Sequence, residues 1–146
     1  MNRIAFLCVL TALTGPALAD EYFVSPQGAN TNPGTYKKPW RTLYHALGKL
    51  KSLDDLYVRG GWYEENLNVY CFRGAPLKRI RVMAYQGEPV HIDSLSLKAP
   101  NYWGLEDLSI GKLKIIGGHG WDVVRCLVGK LEIQGKPTGY RIIPPD

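Results

Sequence analysis

Residues 80–97 read IRVMAYQGEPVHIDSLSL, and this stretch contains the pattern that decides the fold. Its apolar residues fall into three short runs, at 80–84, 90–92 and 95–97, and turn residues separate the first two. Within each run the apolar positions alternate with polar ones, which is typical of half-buried strands. Short strands at such close intervals predict a solenoid, a barrel or a small sandwich.

Comparable runs occur along most of the chain. The predicted strands are 56–58, 67–69, 80–84, 90–92, 95–97, 102–110, 113–116, 121–128 and 131–133. Glycine and proline lie between many of them and supply the turns. A short apolar run at 22–24 precedes a loop at 25–39 that is rich in Gly, Pro, Asn, Ser and Thr.

A single segment has a convincing helical pattern, and it covers 40–51. Its apolar residues share one helical face and are Trp40, Leu43, Tyr44, Leu47 and Leu50. Pro39 suits a helix start, and lysines near the end complement the helix dipole. A helix with one apolar stripe has to cover another part of the fold.

The composition limits the class of protein. The chain has 146 residues, 45% of them apolar and 21% charged, with a formal charge of +5. These values exclude a disordered chain, and the 16 glycines and 10 prolines exclude a coiled coil. The length allows one domain and excludes a large multi-domain enzyme.

The N-terminus has the layout of a secretory signal peptide. Arg3 precedes an apolar run at 4–13, Pro16 ends that run, and the small residues Ala17 and Ala19 flank Leu18. A membrane anchor is the alternative, but the run is too short to span a bilayer. We therefore predict cleavage after Ala19, a mature domain at 20–146, and a secreted or periplasmic location.

Two cysteines remain after cleavage, because Cys8 lies in the signal peptide. In an exported chain, Cys71 and Cys126 are candidates for one disulfide. The alternative is that both are small buried hydrophobes. The spacing alone does not decide between them.

Three stretches near the N-terminus carry a family resemblance. Residues 22–35 read YFVSPQGANTNPGT, residues 38–47 read KPWRTLYHAL, and residues 56–65 read LYVRGGWYEE. In order and spacing they resemble the start of secreted, pectate-lyase-like right-handed parallel β-helix proteins, including the DUF1565-type N-terminal region. The resemblance implies a mainly β fold, a short right-handed parallel β-helix with one N-terminal capping α-helix. Residues 20–55 would form the loop and cap, and 56–146 the coils, with about three coils in 56–133.

The resemblance also implies a carbohydrate-related function without assigning a catalytic residue. Family enzymes have more coils, and their catalytic and calcium-binding residues lie on middle coils that this chain does not reach. We therefore expect an exported carbohydrate-interacting protein, non-catalytic or a shortened relative of polysaccharide lyases. Its partner would be an acidic polysaccharide, with no nucleic acid and no membrane partner after cleavage.

Basic and aromatic residues on the later segments are the candidate binding residues. They are Arg79, Arg81, Tyr85, Tyr102 and Trp103. Such side chains bind an acidic glycan by charge and ring stacking, and nucleic acid uses similar groups. Export disfavours nucleic acid, and the structural alternative is a solvated face with core aromatics.

The alternative function is a lyase that acts on an acidic glycan by β-elimination. This reaction needs neutralisation of a carboxylate and a base for the C5 proton. The candidates are Lys112, Lys114, Arg125 and His119. Calcium is considered only for this alternative, and otherwise we expect no cofactor and no metal site. The adjacent carboxylates at 54–55, 64–65 and 106–107 would point to opposite faces of a strand and would be solvated surface pairs.

A further alternative is a structural or partner-binding remnant of a longer β-helix. The tail at 140–146 contains apolar residues but no second capping helix. An uncapped C-terminal coil would favour self-association, because open coils expose apolar surface and strand edges.

Overall fold

The computed structural model describes residues 18–71 and 74–146, and their strands form two parallel sheets. In chain order the elements are β1 (Glu21–Val24), α1 (Leu43–Lys49), β2 (Asp55–Val58), β3 (Gly61–Tyr70), β4 (Ile80–Ala84), β5 (Val90–Lys98), β6 (Trp103–Glu106), β7 (Ser109–Ile116), β8 (Asp122–Val124), β9 (Leu127–Gln134) and β10 (Arg141–Ile143). Sheet A has the order β1-β2-β4-β6-β8-β10, and sheet B has the order β3-β5-β7-β9. The chain alternates between the sheets, which confirms the expected short parallel β-helix. The predicted signal peptide falls almost entirely outside the described residues.

The described strands make four complete coils, one more than the sequence predicted. Leu95, Leu113 and Leu131 lie opposite one another on β5, β7 and β9. A second inward row joins Leu56, Val82, Leu105 and Val123 in sheet A. Leu113 is fully buried between its two neighbours, because each coil buries its inward side chains against the coils on either side.

Several predicted strands have different limits in the structure. The predictions 90–92 and 95–97 form one strand, β5, which has two residues between the inward Ile92 and Leu95. The predictions 102–110 and 121–128 are each divided, because Asp107 and Arg125 adopt positive φ angles of 57° and 49° and turn the chain from sheet A to sheet B. Positive φ at a non-glycine residue interrupts extended structure. Strand β10 was not predicted.

Close backbone approach explains two glycines in sheet B. A Cβ on Gly111 would lie 2.7 Å from the carbonyl oxygen of Asp93, and a Cβ on Gly129 equally close to that of Gly111. Any larger residue at these positions would separate the coils. In β5, two residues separate the inward Ile92 and Leu95. The two glycines therefore allow the same break in alternation to recur at the equivalent positions of β7 and β9.

The helix is shorter than predicted but serves the expected purpose. Thr42, not Pro39, begins it as the N-cap, since the Thr42 side chain accepts a hydrogen bond from the His45 amide. Trp40 instead forms a parallel bridge with Val24. The side chains of Leu43, Ala46, Leu47 and Leu50 are buried in the core. The helix therefore caps the first coil. The described part of the chain holds no helix long and apolar enough to cross a membrane.

A carboxylate from the first coil attaches the helix to the sheet. The two side-chain oxygens of Glu65 accept hydrogen bonds from the backbone amides of Leu43 and Tyr44, at 2.8 and 2.9 Å. These amides belong to the first helical turn and have no acceptor within the helix. A β-bulge in β3 between Tyr63 and Asn66 gives Glu65 this direction.

Replacing Glu65 should weaken the cap. We expect Glu65→Ala to lower the free energy of unfolding by about 1–2 kcal/mol, because two helix amides lose a charged acceptor. Urea denaturation followed by circular dichroism measures the change. The matched control is Glu64→Ala, since Glu64 is exposed and forms no hydrogen bond or ion pair with any described residue. Equal effects of the two substitutions would contradict this role.

Candidate functional site

Unequal turns between the two sheets create an open groove. The chain passes from β6 to β7 and from β8 to β9 through two residues each, but from β4 to β5 through five, at 85–89. The longer turn contains a 3-10 segment with Gln86 at a φ of 47°. Beside it lies a groove of about 730 Å³, with Gly87, Glu88 and Pro89 in its lining.

The floor of the groove is one row of side chains across sheet B. Trp62 lies opposite His91, His91 opposite Ser109, and Ser109 opposite Leu127. All four line the groove, as do Asp107 and Arg125 from the shorter turns. His91 lies between the buried residues Val90 and Ile92, so its side chain lies on the outer face of the sheet.

Trp62 is the largest exposed side chain of this row. Its exposed fraction is 62%, although its position is fixed by two contacts. The indole nitrogen donates a hydrogen bond to Asp93 Oδ1 at 2.8 Å, and the ring centroid lies 4.0 Å from that of His91. The result is an aromatic surface that is held in place and open to solvent.

Polar atoms surround this indole. His91 Nε2 lies 3.6 Å from Asp93 Oδ1, and His91 Nδ1 lies 3.5 Å from Ser109 Oγ. These groups offer both donors and acceptors beside an apolar ring. Such a combination suits a ligand that has apolar faces and hydroxyl groups.

The charged residues of the groove walls are paired. Glu88 accepts hydrogen bonds from Arg59 Nε at 3.0 Å and from the Gly60 amide at 2.6 Å, and its pKa lies below the ordinary value, chiefly because of the Arg59 bond. Arg125 donates to both oxygens of Asp107, at 2.7 and 2.8 Å, and lowers the pKa of that carboxyl. The walls therefore carry little uncompensated charge.

Beyond the groove, the outer face of sheet B is polar and basic. One row joins Asn66, Ser94, Lys112 and Lys130, and the next joins Asn68, Ser96, Lys114 and Glu132. Glu132 pairs with Lys130 at 2.9 Å and with Lys112 at 3.5 Å. Lys114 forms no ion pair with any described residue. Two of the predicted lyase residues, Lys112 and Lys114, thus share this outer face.

The other two lyase candidates lie at opposite ends of the sheet B strands. Arg125 lines the groove at the turn before β9. His119 lies in the turn from β7 to β8, where its Nδ1 is 2.7 Å from Thr138 Oγ1. The structure therefore does not bring the four predicted catalytic candidates together.

The two arginines predicted to bind substrate are engaged by carboxylates of sheet A. Arg81 Nε donates to Asp55 Oδ1 at 2.8 Å, and its Nη2 donates to Oδ2 of the same group. Arg79 and Arg141 both pair with Asp122. Asp55 thus compensates Arg81, and Asp122 is shared between Arg79 and Arg141, so these arginines carry at most one uncompensated charge.

The three aromatic residues predicted beside them are dispersed. Tyr85 belongs to a cluster with Phe23, Tyr36 and Tyr57, and Arg59 lies 5.1 Å from its ring centroid. Tyr102 contacts His119 edge-on. Trp103 is 2% exposed in the core, so its predicted place on a binding surface is wrong. Its side chain points inward, in the same direction as Leu105.

Glu64 is solvated as predicted, but the other members of the acidic pairs are buried or bound to partners. Asp54 and Asp55 are buried, and burial raises the pKa of Asp54. Glu65 caps the helix, and Glu106 and Asp107 both face Arg125. Within residues 18–71 and 74–146, no three His, Cys, Asp or Glu side chains are grouped so that they could hold a metal ion.

The cysteines are free thiols, so the disulfide alternative is wrong. Cys71 follows the end of β3, whereas Cys126 precedes the start of β9, with β5 and β7 between them. Three strand spacings alone separate them by about 14 Å, whereas a disulfide needs Cα atoms within about 7 Å. Both are buried, as in the second alternative, and each Sγ faces a backbone carbonyl, of Val69 and Val124 respectively.

Trp62, Asp93, Ser109 and Glu88 were not singled out from the sequence. The alternation around Tyr63 places Trp62 outside, since Tyr63 is buried. The contacts with Asp93 and His91 depend on strand register, however. The sequence pattern contains no signal for that register.

The chain is similar to two curated proteins and one solved structure over part of their lengths. No protein-family model matches the chain. The uncharacterized protein YwoF of Bacillus subtilis is 34% identical over 99 residues, which are 68% of this chain and 21% of that protein. Pectate lyase PEL9 of Emericella nidulans is 31% identical over 90 residues, 61% of this chain and 22% of that protein. A solved rhamnogalacturonan lyase covers 79% of this chain and 34% of its own, at 17% identity and a TM-score of 0.44.

The chain thus spans about a fifth of the length of the curated relatives it matches. The match to a pectate lyase, together with two parallel sheets connected coil by coil, supports a pectate-lyase-like parallel β-helix fold.

The buried thiols should make the protein less stable in alkali. Burial raises the pKa of Cys71 to about 12 and that of Cys126 to about 11. The unfolded chain ionises its thiols near their ordinary pKa of about 8.5, while the folded chain keeps both protons. The thiols therefore leave the free energy of unfolding unchanged below about pH 8.5. Above that pH the free energy of unfolding falls as the pH rises toward the two pKa values of the folded thiols.

Urea midpoints measured from about pH 7 to about pH 10 test this expectation. The matched variant carries Cys71→Ala and Cys126→Ala, and its midpoint should fall less steeply over the same range. Burial also raises the pKa of Tyr63, so part of the decline remains in the variant. Parallel declines in the two proteins would show that the thiols do not contribute.

Proposed function

We propose that this chain is an exported, non-catalytic carbohydrate-binding β-helix protein that binds an acidic polysaccharide on the outer face of sheet B. The observation that carries the proposal is Trp62, an indole that is 62% exposed yet fixed by Asp93 and His91 at the floor of an open groove. Export rests on the signal-like sequence at 1–19.

The groove matches the chemistry of a sugar ring. A pyranose has apolar C–H faces, which stack on an indole, and hydroxyl groups, which need donors and acceptors around the ring. Trp62 supplies the stacking surface, and His91, Asp93 and Ser109 supply the donors and acceptors. Because Trp62 is already held, binding costs little side-chain entropy.

The lysines favour an acidic polymer over a neutral one. Lys112, Lys114 and Lys130 lie on the same outer face as the groove floor, on strands β7 and β9. Glu132 compensates Lys112 and Lys130 in part, whereas Lys114 has no ionic partner among the described residues. A uronate carboxylate over Lys114 would gain an ion pair without breaking one.

Removing the indole should weaken polysaccharide binding. We expect Trp62→Ala to lower the affinity for pectate or alginate about tenfold or more, equivalent to at least about 1.4 kcal/mol of lost stacking. Isothermal titration calorimetry at low and moderate salt measures it, and salt should weaken binding because the carboxylate–lysine attraction is screened.

Tyr44→Ala is the matched control for that experiment. Tyr44 is 70% exposed on α1, so its loss removes a comparable aromatic surface outside the groove. The affinity of the Tyr44→Ala variant for the polysaccharide should equal that of the unchanged protein. If a folded, unmodified protein binds none of the polysaccharides, or if both variants bind like it, the proposal fails.

The second candidate function is polysaccharide lyase activity, which the match to a pectate lyase favours. Arg125, at the groove, and Lys112 and Lys114, on the outer face, are the candidates near the proposed glycan. Calcium does not fit, because Glu106 and Asp107 face Arg125, and no group of described carboxylates is arranged to hold a metal ion. No step is therefore assigned to calcium.

Ultraviolet absorbance distinguishes the two functions. β-elimination leaves an unsaturated uronate end, which absorbs where the intact glycan does not. Under our proposal, the purified protein produces no absorbance on pectate or alginate, with or without calcium. The opposite result is absorbance with the unchanged protein and with the control Lys37→Ala, but none with Lys114→Ala. That result would show lyase activity and contradict the proposed non-catalytic function.

A further inference from the structure

The permanently charged side chains that line the groove do not balance on their own. Among the described lining residues, the carboxylates are Glu88 and Asp107, and the permanent cation is Arg125. Arg125 donates to both oxygens of Asp107, which leaves Glu88 to a partner from elsewhere. That partner is Arg59, which follows β2 and is not among the described lining residues.

Arg59 holds the Glu88 carboxylate against the first coil. Its Nε lies 3.0 Å from both carboxylate oxygens, and its Nη2 lies 3.0 Å from Oε1. The Gly60 amide donates to Oε2 of the same group at 2.6 Å. A Cβ on Gly60 would lie 3.3 Å from that oxygen, so glycine leaves room for this approach. The carboxylate at the groove wall is therefore neutralised from behind.

Two tyrosines fix Arg59 on its other sides. Its guanidinium carbon lies 5.2 Å from the ring centroid of Tyr36 and 5.1 Å from that of Tyr85. Tyr36 belongs to the loop at 25–39, and Tyr85 begins the turn at 85–89 that forms the groove wall. A cation held between two aromatic rings has already lost much of its rotamer freedom. The N-terminal loop, which carries part of the family resemblance, thus helps to place this cation behind the groove.

We propose that Arg59 is a specificity-determining residue of the groove, because it neutralises Glu88 and so allows an acidic glycan to enter. The inference rests on the proposed function, and Arg59 acts through Glu88 without contacting the glycan. Without Arg59 the wall would present an uncompensated carboxylate, in addition to the Asp93 carboxylate at the Trp62 indole. These charges would repel a uronate but not a neutral sugar.

Fluorescence quenching measures the charge of the groove without any glycan. Trp62 is the exposed tryptophan of the chain, whereas Trp40, Trp103 and Trp121 are buried. A small quencher in water therefore reaches chiefly Trp62. Iodide is an anion and acrylamide is neutral, so the ratio of their quenching constants at low ionic strength reports the charge around this indole.

The two single substitutions of the pair should move this ratio in opposite directions. Arg59→Met keeps an apolar stem between the tyrosines but exposes the carboxylate, and it should lower the iodide constant at least about twofold. Glu88→Gln leaves the guanidinium uncompensated and should raise the iodide constant. The double variant should return to the unmodified value, and acrylamide quenching should stay the same throughout. Arg41→Met is the matched control, since Arg41 is exposed and is not among the described lining residues.

Glycan binding tests the selectivity itself. Isothermal titration calorimetry compares pectate with fully methyl-esterified pectin, which has the same backbone without the charges. Arg59→Met should lower the affinity for pectate about tenfold or more and leave the affinity for the ester within about twofold. The double variant with Glu88→Gln should recover pectate binding, because it removes the carboxylate that Arg59 neutralises.

Several results would overturn the inference. Equal loss of both polymers in Arg59→Met, or acrylamide quenching that rises together with iodide quenching, would show that Arg59 only supports the turn. Iodide quenching that is unchanged in both single variants would show that Arg59 does not set the charge of the groove. Pectate binding by Arg59→Met as tight as that of the unmodified chain would refute this inference alone. A folded, unmodified chain that binds neither polymer would refute the proposed function, and the selectivity with it.

Discussion

Each coil of this β-helix can bury its inward side chains only against the coils before and after it. Leu113 is fully buried because Leu95 and Leu131 lie on either side of it, and the same holds for the row through Val82 and Leu105. Apolar burial is the dominant favourable term in folding, so the stack, more than any single coil, is the stable unit. The ends of the stack are consequently where the fold needs additional structure. At the N-terminal end, helix α1 and the Glu65 carboxylate supply it.

The same repetition explains where a functional site can arise. Strands in register place equivalent side chains in straight rows, so a groove needs a departure from the repeat. Here the departure is the turn at 85–89, which is longer than the turns at 107–108 and 125–126. It forms a wall beside the row from Trp62 to Leu127. The scaffold is thus set by the inward residues, and the groove by the length of one turn.

The strand pattern could be predicted because inward and outward residues alternate locally, and the apolar rhythm of 80–97 is visible without any neighbour. The N-terminal motif likewise indicated a β-helix with one cap. Contacts between coils could not be predicted in this way. Arg81 resembles a free cation in the sequence, but its partner Asp55 lies on an adjacent strand 26 residues earlier. Trp103 is different, since its alternation with Leu105 already indicated an inward side chain. Trp62 could be placed outside by the same alternation, but not against Asp93 and His91.

The pairing of charges also changes what the formal charge of +5 means for binding. Arg59, Arg79, Arg81, Arg125 and Arg141 all pair with carboxylates of the described chain. Separating such a pair exposes a partner carboxylate, so these arginines offer little net attraction to an incoming acidic polymer. Lysines on β7 and β9 are left to provide it, and among them Lys114 has no competing partner in the described residues. Under the proposed function, selectivity for an acidic glycan therefore depends on where the unpaired lysine lies relative to the Trp62 groove, and the total charge of the chain is a poor guide to it.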